Sequence, residues 1–164
     1  MTTDTTEGRT YEIRPLGPDT WDAFAGLAER HNGVWGGCWC TWFHTMSAEK
    51  ERTPESNRAL KEQRVRDGLA HAALVMDGDE AIAWCEYGPP EELPNIHHRK
   101  EYLESLDHEP DYRITCIFVD RRYRRKGVTA TALQGALDLI GEAGGGTVEG
   151  YPHDTADGKK VSVL

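Results

Sequence analysis

The sequence predicts an α/β (α+β) fold, a mixed sheet whose first strands are antiparallel and whose last form a parallel β-α-β unit. Three observations carry that expectation. Ala70 to Met76 and Ala81 to Tyr87 are apolar runs separated only by Asp77, Gly78, Asp79 and Glu80, which reads as a hairpin. Arg113 to Val119 (RITCIFV) is rich in β-branched and aromatic residues and reads as a buried strand. After it, Leu133, Ala136, Leu137 and Ile140 fall at i, i+3, i+4 and i+7, a helical stripe over Gly127 to Ile140, and Thr147 to Tyr151 reads as the next strand. A strand-helix-strand order closes as a right-handed parallel crossover.

The chain of 164 residues is the size of one domain, here residues 11–164. The opening MTTDTTEGRT has neither a basic start nor an apolar segment, so it is no signal peptide and reads as a disordered lead over residues 1–10. Tyr11 to Leu16 alternates and stops at Pro15, as a first edge strand does. Asp19 or Thr20 can cap a helix carrying Trp21, Phe24, Ala25 and Ala28 on one face, closed by Gly33. Residues 33–44 are dense in Gly and Trp and read as a loop with aromatics packed inward. Thr53 and Pro54 start a charged helix running to about Asp67, with Gly68 beyond it. Its few apolar positions, Leu60 and Val65, make it peripheral. Asn95 to Leu106 reads as a short helix resting on Ile96, Leu103 and Leu106.

Composition narrows the function. The chain carries a formal net charge of -9 and contains no apolar run of the roughly 20 residues a membrane span needs. A cytoplasmic location follows from the opening and the composition, and the four cysteines are expected as reduced thiols. Against that acidity, Arg121, Arg122, Arg124, Arg125 and Lys126 crowd around Tyr123, between the predicted strand and Gly127. Free N–H groups and the positive dipole end of a helix N-terminus attract phosphate oxygens, so this strand, basic turn and helix suit a phosphorylated ligand. A nucleic-acid contact is the alternative use of the arginines; a sequence pI near 5.2 argues against it.

With the preceding Ile117, Phe118, Val119 and Asp120, the run R-R-K-G-V-T at Arg124 to Thr129 resembles motif A of the GNAT N-acetyltransferases, Q/R-x-x-G-x-G/A. The resemblance implies that acetyl-CoA is the co-substrate. Arg124, Arg125, Lys126, Gly127, Val128 and Thr129 then hold its pyrophosphate, and Ile117, Phe118 and Val119 hold its pantetheine arm. Thr129 departs from the pattern, placing a β-branched side chain where the family has Gly or Ala. The predicted element order fits the GNAT sheet along most of the chain. The resemblance also implies transfer of an acetyl group to a primary amine of a small molecule or peptide, by direct attack in a ternary complex. A CoA-binding module without turnover is the second reading.

GNAT domains continue past the strand at Thr147 to Tyr151 into a helix and two further strands, whereas thirteen residues follow Tyr151 here. The domain therefore reads as C-terminally incomplete, and its terminal VSVL as an edge strand able to pair with a second copy in a homodimer. For the chemistry, Glu86 is the first candidate base. It shares strand parity with Ile82 and Trp84, and partial burial would raise its pKa toward a useful range. Tyr151 could protonate the leaving thiolate, with His153 and Asp154 as further candidates. Cys38, Cys40, His31 and His44 have poor spacing for zinc, so no metal is expected. Cys116, in mid-strand, reads as core.

Overall fold

The computed structural model describes residues 3–6, 9–46, 53–96 and 99–150. Six strands form one sheet in chain order: β1 (Thr3–Thr6), β2 (Arg9–Pro15), β3 (His71–Asp77), β4 (Glu80–Gly88), β5 (Tyr112–Val119) and β6 (Val148–Gly150). The first five are antiparallel neighbours; β6 runs parallel to β5. Residues 3–6, expected inside a disordered lead, pair with Arg9 to Glu12. That pairing moves β2 from the expected edge position to the sheet interior, with Pro15 at its last rung. Pro15 there interrupts no further rung.

Helices cover both faces. On one lie α1 (Trp21–Arg30), the loop that follows it and α2 (Pro54–Arg66), packed through Trp21, Phe24, Leu27, Trp39 and Val65 onto Leu74, Trp84, Cys116 and Phe118. On the other lies α4 (Val128–Glu142), against Tyr11, Ile13, Val75, Ala83 and Cys85. A short helix α3 (Arg99–Ser105) buries no residue. Ile96 is buried in the segment before it and Leu103 is exposed, so the expected apolar contacts of a 95–106 helix are not made along the helix itself. No helix among the described residues is long and apolar enough to cross a membrane.

Local chemistry explains most boundaries. Thr53 and Ser56 form a reciprocal capping box with Pro54 at the first turn of α2. Thr20 occupies the N-cap of α1 but gives no side-chain cap; its hydroxyl instead donates to the Pro15 carbonyl at 2.8 Å, tying the helix entrance to β2. The 32–40 loop holds Asn32, Val34, Trp35, Trp39 and Cys40 at positive φ, which burial of Val34, Trp39 and Cys40 holds in place.

The stripe of α4 is rotated from the expected one. Val128, Ala132, Ala136 and Ile140 face the sheet, with Gly135 so close that a Cβ there would meet Ile13 at 2.9 Å. Leu133 and Leu137 are 37 % and 39 % exposed. Small residues were selected because the helix lies close to the sheet. We therefore expect Ile140→Ala to cost about 2–5 kcal/mol in urea unfolding. Leu133→Gln should change stability by less than about 0.5 kcal/mol; a loss as large as that from Ile140→Ala would place Leu133, and with it the predicted stripe, in the core.

Candidate active site

Among the described residues, β5 and β6 share a short register. It runs Tyr112–Val148, Arg113–Glu149 and Ile114–Gly150, and Gly150 is the last residue described. Among the described residues, nothing pairs with 115–119 on that side. At the same point β4 and β5 slip by one residue: Glu86 is opposite Cys116 and Tyr87 opposite Ile114, leaving Thr115 as the extra residue of a bulge. Ile117 and Val119 pack toward α4, while Phe118 is buried on the other face among His31, Trp35 and Trp84. The backbone edge of β5 thus leads from the bulge to the start of α4.

That start has features that suit an anion. Gly127 is the N-cap at φ 77°, a left-handed conformation that favours glycine, and Val128 is buried while Thr129 and Ala130 are exposed. The first N–H groups of such a helix have no intrahelical acceptor. Arg125 also adopts a left-handed φ of 62°. The departure at Thr129 leaves its side chain in solvent at the second helical position.

Not every arginine of the run is available. Asp120, 1 % exposed, accepts the Arg122 backbone N–H at 2.9 Å and its guanidinium at 2.8 Å, and Arg122 also pairs with Glu80. Burial alone would raise the Asp120 carboxyl, but the Arg122 hydrogen bonds outweigh it and hold it down at about 2. Arg30 joins from α1, 3.1 Å from Glu80. Arg124 folds back, donating to the Val119 carbonyl at 3.1 Å. Arg121, Arg125 and Lys126 are exposed beside the helix start.

Beneath the bulge sits a buried charge cluster. Lys61 of α2 and Glu86 of β4 are each 1 % exposed, with Lys61 Nζ 2.5 Å from Glu86 Oε2. Lys61 also donates to His44 Nε2 at 2.9 Å and toward the Cys40 carbonyl at 3.4 Å. His44 Nδ1 lies 3.0 Å from the Glu92 carbonyl, which assigns the ring proton to Nδ1 and leaves Nε2 as the acceptor for Lys61. The other oxygen, Glu86 Oε1, accepts from Thr115 Oγ1 at 2.8 Å. Burial pushes the Glu86 carboxyl up, but the Lys61 charge and its hydrogen bond prevail and lower it to about 2. His44 is lowered by burial and by Lys61.

These facts correct several expectations. Glu86 is wholly buried and ionised rather than half-buried with a raised pKa. It shares a face with Trp84 but not with Ile82, because a β-bulge makes Ile82 an extra residue between Ala81 and Ala83. The helix read as peripheral, α2, supplies the buried cation. Asn57, Lys61 and Val65 are its buried stripe at i, i+4 and i+8, a spacing visible in the sequence that only Val65 marks as apolar. His31 and His44 are engaged apart: His31 Nδ1 meets the Leu27 carbonyl at 3.0 Å and its Nε2 accepts from the Arg121 N–H at 3.3 Å. The four cysteines are free thiols. Tyr151, His153, Asp154, His97, His98 and the terminal VSVL lie outside the described residues.

The sequence model of the acetyltransferase (GNAT) family matches residues 37–153. No curated protein sequence matches. Among solved structures, an aminoglycoside N-acetyltransferase, AAC(6')-Iy, in complex with CoA, superimposes with a TM-score of 0.58 at 14 % identity, covering 96 % of this chain and 82 % of that one. An aminoglycoside acetyltransferase from an uncultured soil metagenomic sample, in complex with sisomicin, gives 0.55 at 12 % identity, covering 94 % and 92 %. A ribosomal-protein-alanine N-acetyltransferase from Brucella melitensis biovar Abortus 2308 gives 0.50 at 14 % identity, covering 87 % and 82 %. At these identities the structures establish the fold.

Removing one partner of the buried pair strands the other's charge. We expect Lys61→Met or Glu86→Leu alone to cost about 3–5 kcal/mol, and the double variant to recover much of the loss. Because the Glu86 carboxyl is held down at about 2, its contribution is complete above the usual carboxylate range and is lost as pH falls toward 2. Melting temperature against pH should therefore fall more steeply below pH 4.5 in the parent than in the double variant. Parallel curves would show that the pair carries no such linkage.

Proposed function

The chain belongs to the acetyltransferase (GNAT) family, and on that premise we propose that it moves the acetyl group of acetyl-CoA to a primary amine of a small molecule within a ternary complex. The observation that carries this reading is the path from the edge of β5 at 115–119, unpaired on the β6 side among the described residues, to the first N–H groups at the Gly127 turn of α4. A pantetheine arm carries amide groups that can add to a strand edge as another strand would, and a pyrophosphate suits a helix N-terminus flanked by cations. Ile117, Phe118 and Val119 would offer the backbone edge. Gly127, Val128 and Thr129 would offer N–H groups, with Arg125 and Lys126 adding charge and Arg124 free to turn outward from Val119.

Acetyl-CoA supplies a thioester. The neutral amine attacks its carbonyl carbon; the C–N bond forms, the C–S bond breaks, and the electron pair leaves on sulfur, which takes up a proton as the nitrogen gives one up. Glu86 is poorly suited to collect the amine proton, because the Lys61 charge beside it already holds it ionised at about 2. We assign it instead to holding the bulge, and leave proton acceptance to solvent water or His153 and proton donation to Tyr151. A small-molecule acceptor is favoured by the amine ligand of the sisomicin complex, whose protein shares this fold. Exposed acids on α3 and after it, Glu101, Glu104, Asp107 and Glu109, would draw in a cationic one.

Acetyl-CoA at a hundredfold excess over its Kd should raise stability by about 2.7 kcal/mol, read as an increase in melting temperature. Gly127→Glu, which puts a side chain and a negative charge at a left-handed N-cap, should abolish the increase. A parent whose melting temperature ignores acetyl-CoA would refute the reading. Binding with no thiol release across amine acceptors would leave a CoA-binding module in its place.

A further inference from the structure

We propose that the Thr115 hydroxyl receives the N–H of the attacking amine, an inference that rests on the transferase reading and adds the group that positions the nucleophile. Glu86 Oε2 is held by Lys61 at 2.5 Å, so the carboxylate is an ionised acceptor with its Oε1 turned to Thr115 Oγ1 at 2.8 Å. A carboxylate in that state has no proton to donate. The single hydroxyl proton of Thr115 must therefore point at Glu86, which leaves only lone pairs for any other partner. No donor to Thr115 Oγ1 is found among the described residues. Whatever next meets that oxygen has to bring a hydrogen.

The location selects the donor. Thr115 is the extra residue of the β5 bulge and the first beyond the last described β5–β6 rung, Ile114–Gly150, where the proposed thioester path begins. It is half-buried, while its neighbour Cys116 and its partner Glu86 are buried. An acetyl carbonyl laid along this edge would place the attacking nitrogen beside a hydroxyl that can only accept. One N–H directed at Thr115 orients the nitrogen lone pair toward the carbonyl carbon. The buried cluster has a role in this arrangement without taking a proton: Lys61 fixes Glu86, and Glu86 fixes the direction of the hydroxyl. Thr115 is the residue that would touch the substrate; Glu86 and Lys61 act through it as positioning residues.

The test compares Thr115→Val, which keeps the shape and removes the oxygen, with Thr115→Ser, which restores it. Both are assayed with acetyl-CoA by thiol release, using sisomicin and spermidine as amine probes and water alone as the acceptor of last resort. We expect Thr115→Val to keep the acetyl-CoA melting shift and the KM for acetyl-CoA, and to lose roughly tenfold in kcat/KM for the amine, the scale of one hydrogen bond. Thr115→Ser should regain most of it. A purely structural role would instead lower melting temperature and acetyl-CoA affinity together and would not divide the two substrates. Valine matching the parent with either amine overturns the assignment alone, whereas a parent that binds acetyl-CoA yet releases no thiol with any acceptor overturns the transferase reading together with the assignment. A parent that binds no acetyl-CoA overturns the transferase reading and this inference with it.

Discussion

A lysine and a glutamate, each 1 % exposed, meet at 2.5 Å under the sheet, and much of the architecture follows from the need to keep them together. Neither charge could be buried alone; an isolated one costs far more than a small domain can sustain. The pair binds α2 to β4, and His44 and the Cys40 carbonyl draw the aromatic loop into the same cluster. Through Thr115 the pair also reaches β5 at the bulge. Such a pair contributes little net stability compared with apolar residues of the same volume. What the pair does supply is orientation, since it turns Glu86 Oε1 to Thr115.

A second anchored carboxylate, Asp120, does comparable work at the other end of β5. It takes Arg122 out of the basic run and, with Arg30 and Glu80, fixes where the strand stops and the turn begins. The stretch 115–119 is thus flanked by two buried carboxylates, Glu86 at Thr115 and Asp120 just past Val119, and is unpaired on the β6 side among the described residues. The two faces divide the labour. The α4 face holds the turn suited to phosphates, and the α1–α2 face holds the charge cluster that reaches Thr115.

The strand, basic turn and helix from Arg113 to Ile140 were legible because their signals are consecutive: a β-branched run, a glycine and a helical period. The hairpin and the Thr53–Pro54 helix start were legible for the same reason. The rotated stripe of α4 was not. Leucines at 133 and 137 outweigh Ala132 in a hydropathy pattern, yet a small residue fits better where Gly135 nearly touches Ile13. Nor was the cluster legible, since Lys61, Glu86 and Thr115 come from three elements and become neighbours only once the sheet and α2 are assembled. Glu86 drew notice as a carboxylate on an apolar strand; the cation that decides its protonation lay on a helix whose composition marks it as solvent-facing.

The central claim is that one continuous surface, from the β5 bulge to the first turn of α4, binds acetyl-CoA. Backbone amide chemical shifts followed during titration with acetyl-CoA test it most directly. The account predicts that the largest changes fall on 115–119 and 125–130, with the α1 and β1–β2 amides nearly still. Changes concentrated on α1 and the 32–40 loop, with 125–130 unmoved, would contradict it.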